Sequence, residues 1–288
     1  MDWTIPIIIL QLILLEGLLS IDNAAVLGAM VIHLPNDKPI EWPRSFQKIG
    51  DKLHFLLGNQ RAAALRVGLL GAYVGRGLML LLASLIVNNP WLKVIGAFYL
   101  IRLAFENLGM AEESEADTEV RTVKATSFWG IVVSVEIADL VFSLDNVVAA
   151  VSLSNRLWVV MVGVAIGILC MRFAAGLFSY AVEHEPVLRE AAYILVFNIG
   201  VELLVEEFAH VDINDWLRFS ISIGTILLSL AYAHFKFLRI LRPVIRWVAQ
   251  GFAKMNEVID WALVPVFVIL GLIKNAIMRL FTKSAPSA

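Results

Sequence analysis

Seven stretches of the chain are apolar for about the length that crosses a bilayer as a helix: roughly 4–33, 66–88, 91–108, 127–153, 157–181, 191–208 and 216–235. A hydrocarbon layer about 30 Å thick needs about 20 residues at a helical rise of about 1.5 Å, so each run predicts one span. The first lacks a basic n-region and a small-residue cleavage site and is too long for a signal peptide, so it is expected to stay as a span. Asn88-Asn89-Pro90 and Ser154-Asn155-Arg156 are short polar breaks that make their flanking helices antiparallel neighbours. From Lys236 basic and apolar residues alternate around Pro243, which predicts an amphipathic helix on the membrane surface within a tail of 236–288. The run 262–273 is short for a span and predicts a re-entrant or interfacial piece, with an eighth span as the other outcome. The fold class expected is all-α, a polytopic membrane helix bundle.

Composition supports a bilayer as the solvent. Hydrophobic residues make up 59% of the 288, charged residues 17%, and mean hydropathy is +0.79. Soluble domains are nearer 45–50% apolar and about 25% charged. A net charge of −2, with no basic stripe interleaved with aromatics, argues against a nucleic-acid partner. The single cysteine, Cys170, leaves no intramolecular disulfide and no Cys-based zinc site. Basic residues cluster in 34–65 (Lys38, Arg44, Lys48, Lys52, Arg61) and beyond the last span (Lys236, Arg239, Arg242, Arg246). By the positive-inside rule both segments are expected in the cytoplasm and the N-terminus outside, which seven spans satisfy. The acidic stretch 109–126 reads as a solvated loop.

A repeat adds the chemistry. Glu16-Gly-Leu-Leu-Ser20-Ile-Asp22-Asn23 and Asp139-Leu-Val-Phe-Ser143-Leu-Asp145-Asn146 share acid, three residues, Ser, aliphatic, Asp, Asn at an offset of 123. Arg76 and Arg172 form a further pair, and Glu106 and Glu206 a weaker one. With three spans per copy the halves run in opposite directions: repeat one about 4–108, repeat two about 127–208, and the seventh span, 216–235, outside both. Inverted halves meeting near the midplane are a common plan of secondary transporters. Residues 1–235 then form a transporter domain with a cytoplasmic insert at 34–65.

Carboxylates inside a span are costly and should face protein or water with a partner. Glu16, Asp22, Glu136, Asp139 and Asp145 lie in the signature spans, with Asn23, Asn146, Ser20 and Ser143 adding neutral oxygens. An oxygen-only set fits a hard dication, Mg²⁺, Ca²⁺ or Mn²⁺. So many carboxylates around one dication require protons, or pairing with Arg76 and Arg172, when the metal is absent. That points to exchange of metal against protons. At about 100° per residue Asp22 lies about 120° around the helix from Glu16, so a break near Ser20-Ile21-Asp22 and near Ser143-Leu144-Asp145 is expected. Arg76 and Arg172 read as structural counter-ions. Asn198 and Glu202 are polar at depth and could line a path, Glu206 and Glu207 read as an exposed rim, and Glu183-His184-Glu185 as a turn. Tryptophans suit interfacial anchoring, and the glycines of the second and fifth spans suit close helix packing.

The segments Glu16-Gly-Leu-Leu-Ser-Ile-Asp-Asn-Ala and Glu136-Ile-Ala-Asp-Leu-Val-Phe-Ser-Leu-Asp-Asn-Val closely resemble the signatures of the TerC family, over most of residues 1–235. These bacterial and plastid membrane proteins are named for tellurium resistance and related to the LysE transporter superfamily. The resemblance implies manganese export from the bacterial cytoplasmic membrane, with the acidic motif on Glu16, Asp22, Glu136, Asp139 and Asp145. The insert at 34–65 is longer than in compact members. The residues alone indicate a hard divalent cation; the resemblance names manganese. It implies no organic cofactor, and leaves a homo-oligomer or a membrane partner open. Tellurite is an oxyanion that a carboxylate-lined site repels, so a tellurium phenotype would be indirect.

Four function classes fit a membrane protein with paired acids. The leading one is alternating-access export of Mn²⁺ with proton coupling, and no enzyme activity. The second is a metal-binding subunit of a resistance complex that moves nothing. An intramembrane aspartyl protease also needs two aspartates in separate spans, and its Gly-x-Gly-Asp phrase is missing. A channel would need rings of acids that one chain does not supply.

Overall fold

The computed structural model describes residues 4–18, 21–35, 40, 42, 57–83, 89–116, 127–154, 156–211, 213–259 and 261. Every regular element among them is helical. α1 (Thr4–Ile13) runs into a π-helical turn (Leu14–Leu18), and α2 (Ile21–Val31) resumes beyond residues 19–20 at an angle of 47°. There follow α3 (Gln60–Leu81), α4 (Pro90–Ala116), α5 (Phe128–Leu153), α6 (Leu157–His184), α7 (Val187–Ala209) and α8 (Asp215–His234), then a 3₁₀ turn (Lys236–Leu241) and a helical stretch over 242–259, α9.

Local chemistry explains several boundaries. Gly58, at φ +71°, takes the left-handed turn that feeds α3. Pro90 opens α4, where its missing N–H is not needed. Ser127 caps α5 by accepting from the Gly130 N–H at 3.1 Å, and Asn214 caps α8 by accepting from the Trp216 N–H at 2.9 Å. α4 continues to Ala116, so the expected loop of 109–126 is helical over its first part. Its Gly-Met-Ala-Glu-Glu-Ser-Glu-Ala stretch is mostly strong helix formers, and their propensity prevails over their polarity.

Gln60–Leu81, Leu157–His184 and Trp216–His234 are long and apolar enough to cross a membrane, and the bent α1–α2 pair makes a fourth if it is one span. The other three helices fall on the remaining apolar runs and carry more charge: Lys93, Arg102 and Glu106 in α4; Glu136, Asp139 and Asp145 in α5; Glu202, Glu206 and Glu207 in α7. The exterior is apolar, with Leu70, Val74, Leu78, Phe173, Leu177 and Leu228 exposed, while Arg76, Glu16 and Asp139 are buried. An outward apolar surface around internal ion pairs is what a hydrocarbon solvent selects.

α4 packs most extensively on α7, the α1–π–α2 segment on α6, and α3 on α5. α2 also reaches α5, α7 and α8. At Gly28 the backbones come close: a Cβ there would lie 2.5 Å from the Ala175 carbonyl oxygen of α6. The described part of the tail, α9, docks on α4 and α7 around Phe252 and Ala253, with the Ala253 backbone against Gly109 of α4. Phe252 of α9 stacks on Phe105 of α4 (centroids 4.9 Å) and meets Phe197 of α7 (5.4 Å), while Val244, Trp247, Val258 and Trp261 stay exposed. Most of the insert 34–65 and the run 262–273 lie outside the described residues.

The expected break occurs in one copy of the repeat. The first signature segment carries the π turn and the bend, whereas α5 runs unbroken from Phe128 to Leu153 through Asp139, Ser143 and Asp145. Ser143 Oγ donates back to the Asp139 carbonyl at 2.5 Å, a bond that leaves the helix intact. Gly17 has no counterpart in α5, where Leu140 occupies the matching position.

Candidate functional site

A chain of buried ion pairs joins four helices. Arg76 of α3, 1% exposed, pairs with Glu16 of the π turn and donates from Nη2 to Asp139 Oδ1 of α5 at 3.0 Å. Arg172 of α6 donates from Nη2 to Glu136 Oε1 at 3.2 Å and to the Gly68 carbonyl at 2.9 Å, and lies 3.9 Å from Asp139 Oδ2. The order is Glu16, Arg76, Asp139, Arg172, Glu136. Among the described residues three carboxylates face two guanidiniums, which leaves one formal negative charge unbalanced. Glu136 is the most accessible of these three acids, with its side chain 20% exposed against 1–2% for Glu16 and Asp139.

Small residues make room for these acids. A Cβ at Gly68 would sit 2.7 Å from Glu136 Oε1, and one at Gly71 would overlap the Glu136 carboxyl group. On the other side a Cβ at Gly167 would collide with the Glu16 side chain. Gly71 and Gly167 are 96 residues apart, the same separation as Arg76 and Arg172. Gly68 and Gly71 of the second run therefore receive an acid of the fourth, and Gly167 of the fifth receives an acid of the first.

Asp22 turns away from this chain. Buried in the first turn of α2, it accepts at Oδ1 from the Asn23 N–H (2.8 Å) and at Oδ2 from Ser222 Oγ of α8 (3.3 Å). Beside Ser222 on α8, Arg218 pairs with Glu206 of α7 and has Nε 3.6 Å from Glu202 Oε2. Glu206, expected on an exposed rim, has a side chain only 10% exposed, because the guanidinium holds it against α8. Ser222 is the buried residue among those described on α8.

The predicted residues thus separate into two groups. Glu16, Asp139, Glu136, Arg76 and Arg172 come together in the ion-pair chain, with Ser143 buried beside Asp139. Asp22, the buried Asn23 and Glu202 belong to the α2–α7–α8 side. Asn146 and Asn198 are half-buried on α5 and α7. Ser20 and the side chain of Asp145 lie outside the described residues. Among the described residues no three Asp, Glu, His or Cys side chains are grouped to hold a metal ion. Elsewhere Arg61 pairs with Glu183 and donates to the Ile32 carbonyl (3.0 Å) and the Leu34 carbonyl (3.2 Å), while Glu185 lies 3.5 Å from His234 Nε2.

Arg218 and Ser222 did not stand out in the sequence, although their spacing carried a signal. An arginine inside an apolar run, one turn before a serine, places two polar groups on one helix face.

The family described as the integral membrane protein TerC family matches residues 52–243. The chain is 35% identical over 227 residues to the "Uncharacterized membrane protein YceF" of Bacillus subtilis, covering 76% of this chain and 79% of that protein. It is 32% identical over 222 residues to the "Uncharacterized membrane protein YkoY" of the same organism, covering 72% of this chain and 62% of that protein. The "UPF0053 inner membrane protein YgdQ" of Escherichia coli is 31% identical over 214 residues, 68% of this chain and 79% of its own length. No solved structure matches.

Proposed function

Because this chain belongs to the TerC family of integral membrane proteins, we propose that it exports divalent metal cations, Mn²⁺ foremost, by alternating access with protons as counter-ions. The observation that carries this reading is the meeting of Glu16 and Asp139 on Arg76. Equivalent acids of two sequence copies share one buried cation where the copies touch.

The helix pairing supports an inverted 3+3 arrangement within seven spans. Exchanging the first three helical runs with the second three converts the α1–α2 contact with α6 into the α3 contact with α5, and the α4–α7 contact into itself. In this plan the N-terminus is outside, the tail cytoplasmic, and the membrane the bacterial cytoplasmic one. Glu16, Asp22, Asn23, Glu136, Asp139, Asp145 and Asn146 supply oxygens to the cation at successive positions of its path rather than at one site, Ser20 and Ser143 assist, and Asn198 and Glu202 line the path. Arg76 and Arg172 hold the acids between loads. The unbalanced carboxylate gives a place for the exchanged proton. The protein is a carrier, with neither an enzymatic step nor an organic cofactor.

The test is Mn²⁺ flux into proteoliposomes under an imposed pH gradient, beside Asp22→Asn/Asp145→Asn. Gradient-driven flux that the double variant loses is expected, and undiminished flux in that variant overturns the assignment. A second reading, a metal-binding subunit of a membrane complex, is favoured by the arginine partners the acids already have. It predicts Mn²⁺ binding by the native protein with no flux.

A further inference from the structure

α8 lies outside the two three-helix copies, yet its buried residue is a serine bonded to a signature acid. Arg218 precedes Ser222 by four residues, so both lie on one face of α8. That face meets Asp22 of α2 through Ser222, and Glu202 and Glu206 of α7 through Arg218. Among the described residues, the carboxylates of Asp22, Glu202 and Glu206 and the guanidinium of Arg218 therefore edge the place where α2, α7 and α8 meet. A guanidinium stays protonated at any working pH, so this is a permanent cation fixed to the protein by a flexible stem.

We propose that Arg218 is a tethered surrogate for the transported cation: it neutralises the acidic approach to Asp22 while that approach is empty and is displaced when a divalent ion enters. The inference rests on the transport reading and adds a residue that sets affinity at this end of the path without ligating the metal. The guanidinium and the ion compete for the same carboxylates. A competing internal cation weakens metal binding and speeds release, because it re-pairs with the acids as the ion leaves. Ser222 keeps Asp22 oriented in both situations, since a hydroxyl hydrogen bond needs no charge on its donor.

The experiment compares native protein, Arg218→Gln and Arg218→Lys for Mn²⁺ flux in proteoliposomes and for equilibrium Mn²⁺ binding in detergent. Arg218→Gln is expected to bind Mn²⁺ roughly tenfold more tightly and to turn over more slowly at saturation, since one fixed positive charge is removed from a partly buried acidic patch. Arg218→Lys, which keeps the charge, is expected to stay within about twofold of native protein. Equal behaviour of the Gln and Lys variants, or unchanged affinity in Arg218→Gln, overturns the proposal. If native protein binds Mn²⁺ without moving it, the transport reading fails, and the binding constants alone decide whether Arg218 competes with the ion. Arg218→His covers a failure of Arg218→Gln to fold. Its affinity relative to native protein at the same pH should be near one at about pH 5.5 and raised at about pH 8, either side of the ordinary histidine pKa of about 6.5. A ratio that does not change with pH overturns the proposal.

Discussion

Glu16 and Asp139, 123 residues apart and equivalent in the two signature segments, are bound to the same guanidinium, that of Arg76. The ion-pair chain therefore has a centre and an edge. Arg76 sits at the centre with two acids from two helices, and Arg172 at the edge beside the more accessible Glu136. Removing one member of a buried ion pair costs roughly 3–5 kcal/mol, because the partner is left charged and unsolvated. Arg76→Gln is expected to lose stability on that scale, and Arg172→Gln less, since water reaches Glu136. Thermal unfolding of the two variants in detergent measures the order, and equal losses would contradict it.

Glu136 gives a prediction of opposite sign. Its carboxylate completes a set of three against two guanidiniums, so Glu136→Gln removes the unbalanced charge while its amide oxygen still accepts from Arg172. The variant should be at least as stable as native protein. It should also release fewer protons when Mn²⁺ binds, which a pH indicator in weakly buffered detergent solution records. Unchanged proton release would remove Glu136 from the proton-binding role.

Two glycines on α3 provide a matched pair. A Cβ at Gly71 overlaps the Glu136 carboxyl, whereas a Cβ at Gly77 meets nothing within 4 Å. Gly71→Ala should destabilise by roughly 1–3 kcal/mol through overpacking. Gly77→Ala should stabilise by roughly 0.5–1 kcal/mol through helix propensity. Chemical or thermal unfolding of both variants, referred to native protein, checks the difference in sign.

The tail offers a fourth test. Phe252 contacts one aromatic from α4 and one from α7, and aromatic pairs of this kind contribute roughly 0.5–1.5 kcal/mol each beyond simple burial. Phe252→Ala should free α9 and speed protease cleavage after Leu241, leaving the fragment before it intact. Cleavage at the native rate would mean that other contacts hold the tail.

The seven apolar runs located the helices well because hydrophobic length is written locally. The fourth run, 127–153, differs from α5 by one residue, and the sixth, 191–208, begins four residues inside α7. α3 starts six residues before its run because Gln60 and Arg61 are polar but helix-compatible, and Gly58 rather than polarity sets the boundary. The arginine pairing with the signature acids was legible from chemistry, since buried carboxylates need counter-ions. The direction of Asp22 was not. It depends on the bend after Leu18 and on a serine 200 residues away, and no local pattern encodes that approach. Glu206 was misplaced for the same reason: its exposure is decided by Arg218 on a neighbouring helix.

The bent first segment and the straight α5 have a thermodynamic consequence. Glu16–Asn23 and Asp139–Asn146 share a leading acid and then Ser, Asp and Asn at one spacing, yet the first lies where α1 and α2 meet at an angle and the second within the straight α5. The shared residues therefore do not dictate the shape; the copies differ in Gly17 against Leu140 and in the seat that Gly167 of α6 gives the Glu16 side chain. A shape that the shared residues leave open can be changed by what surrounds them, so the free-energy gap between kinked and unkinked forms is set by one glycine and by packing that differs between the two halves.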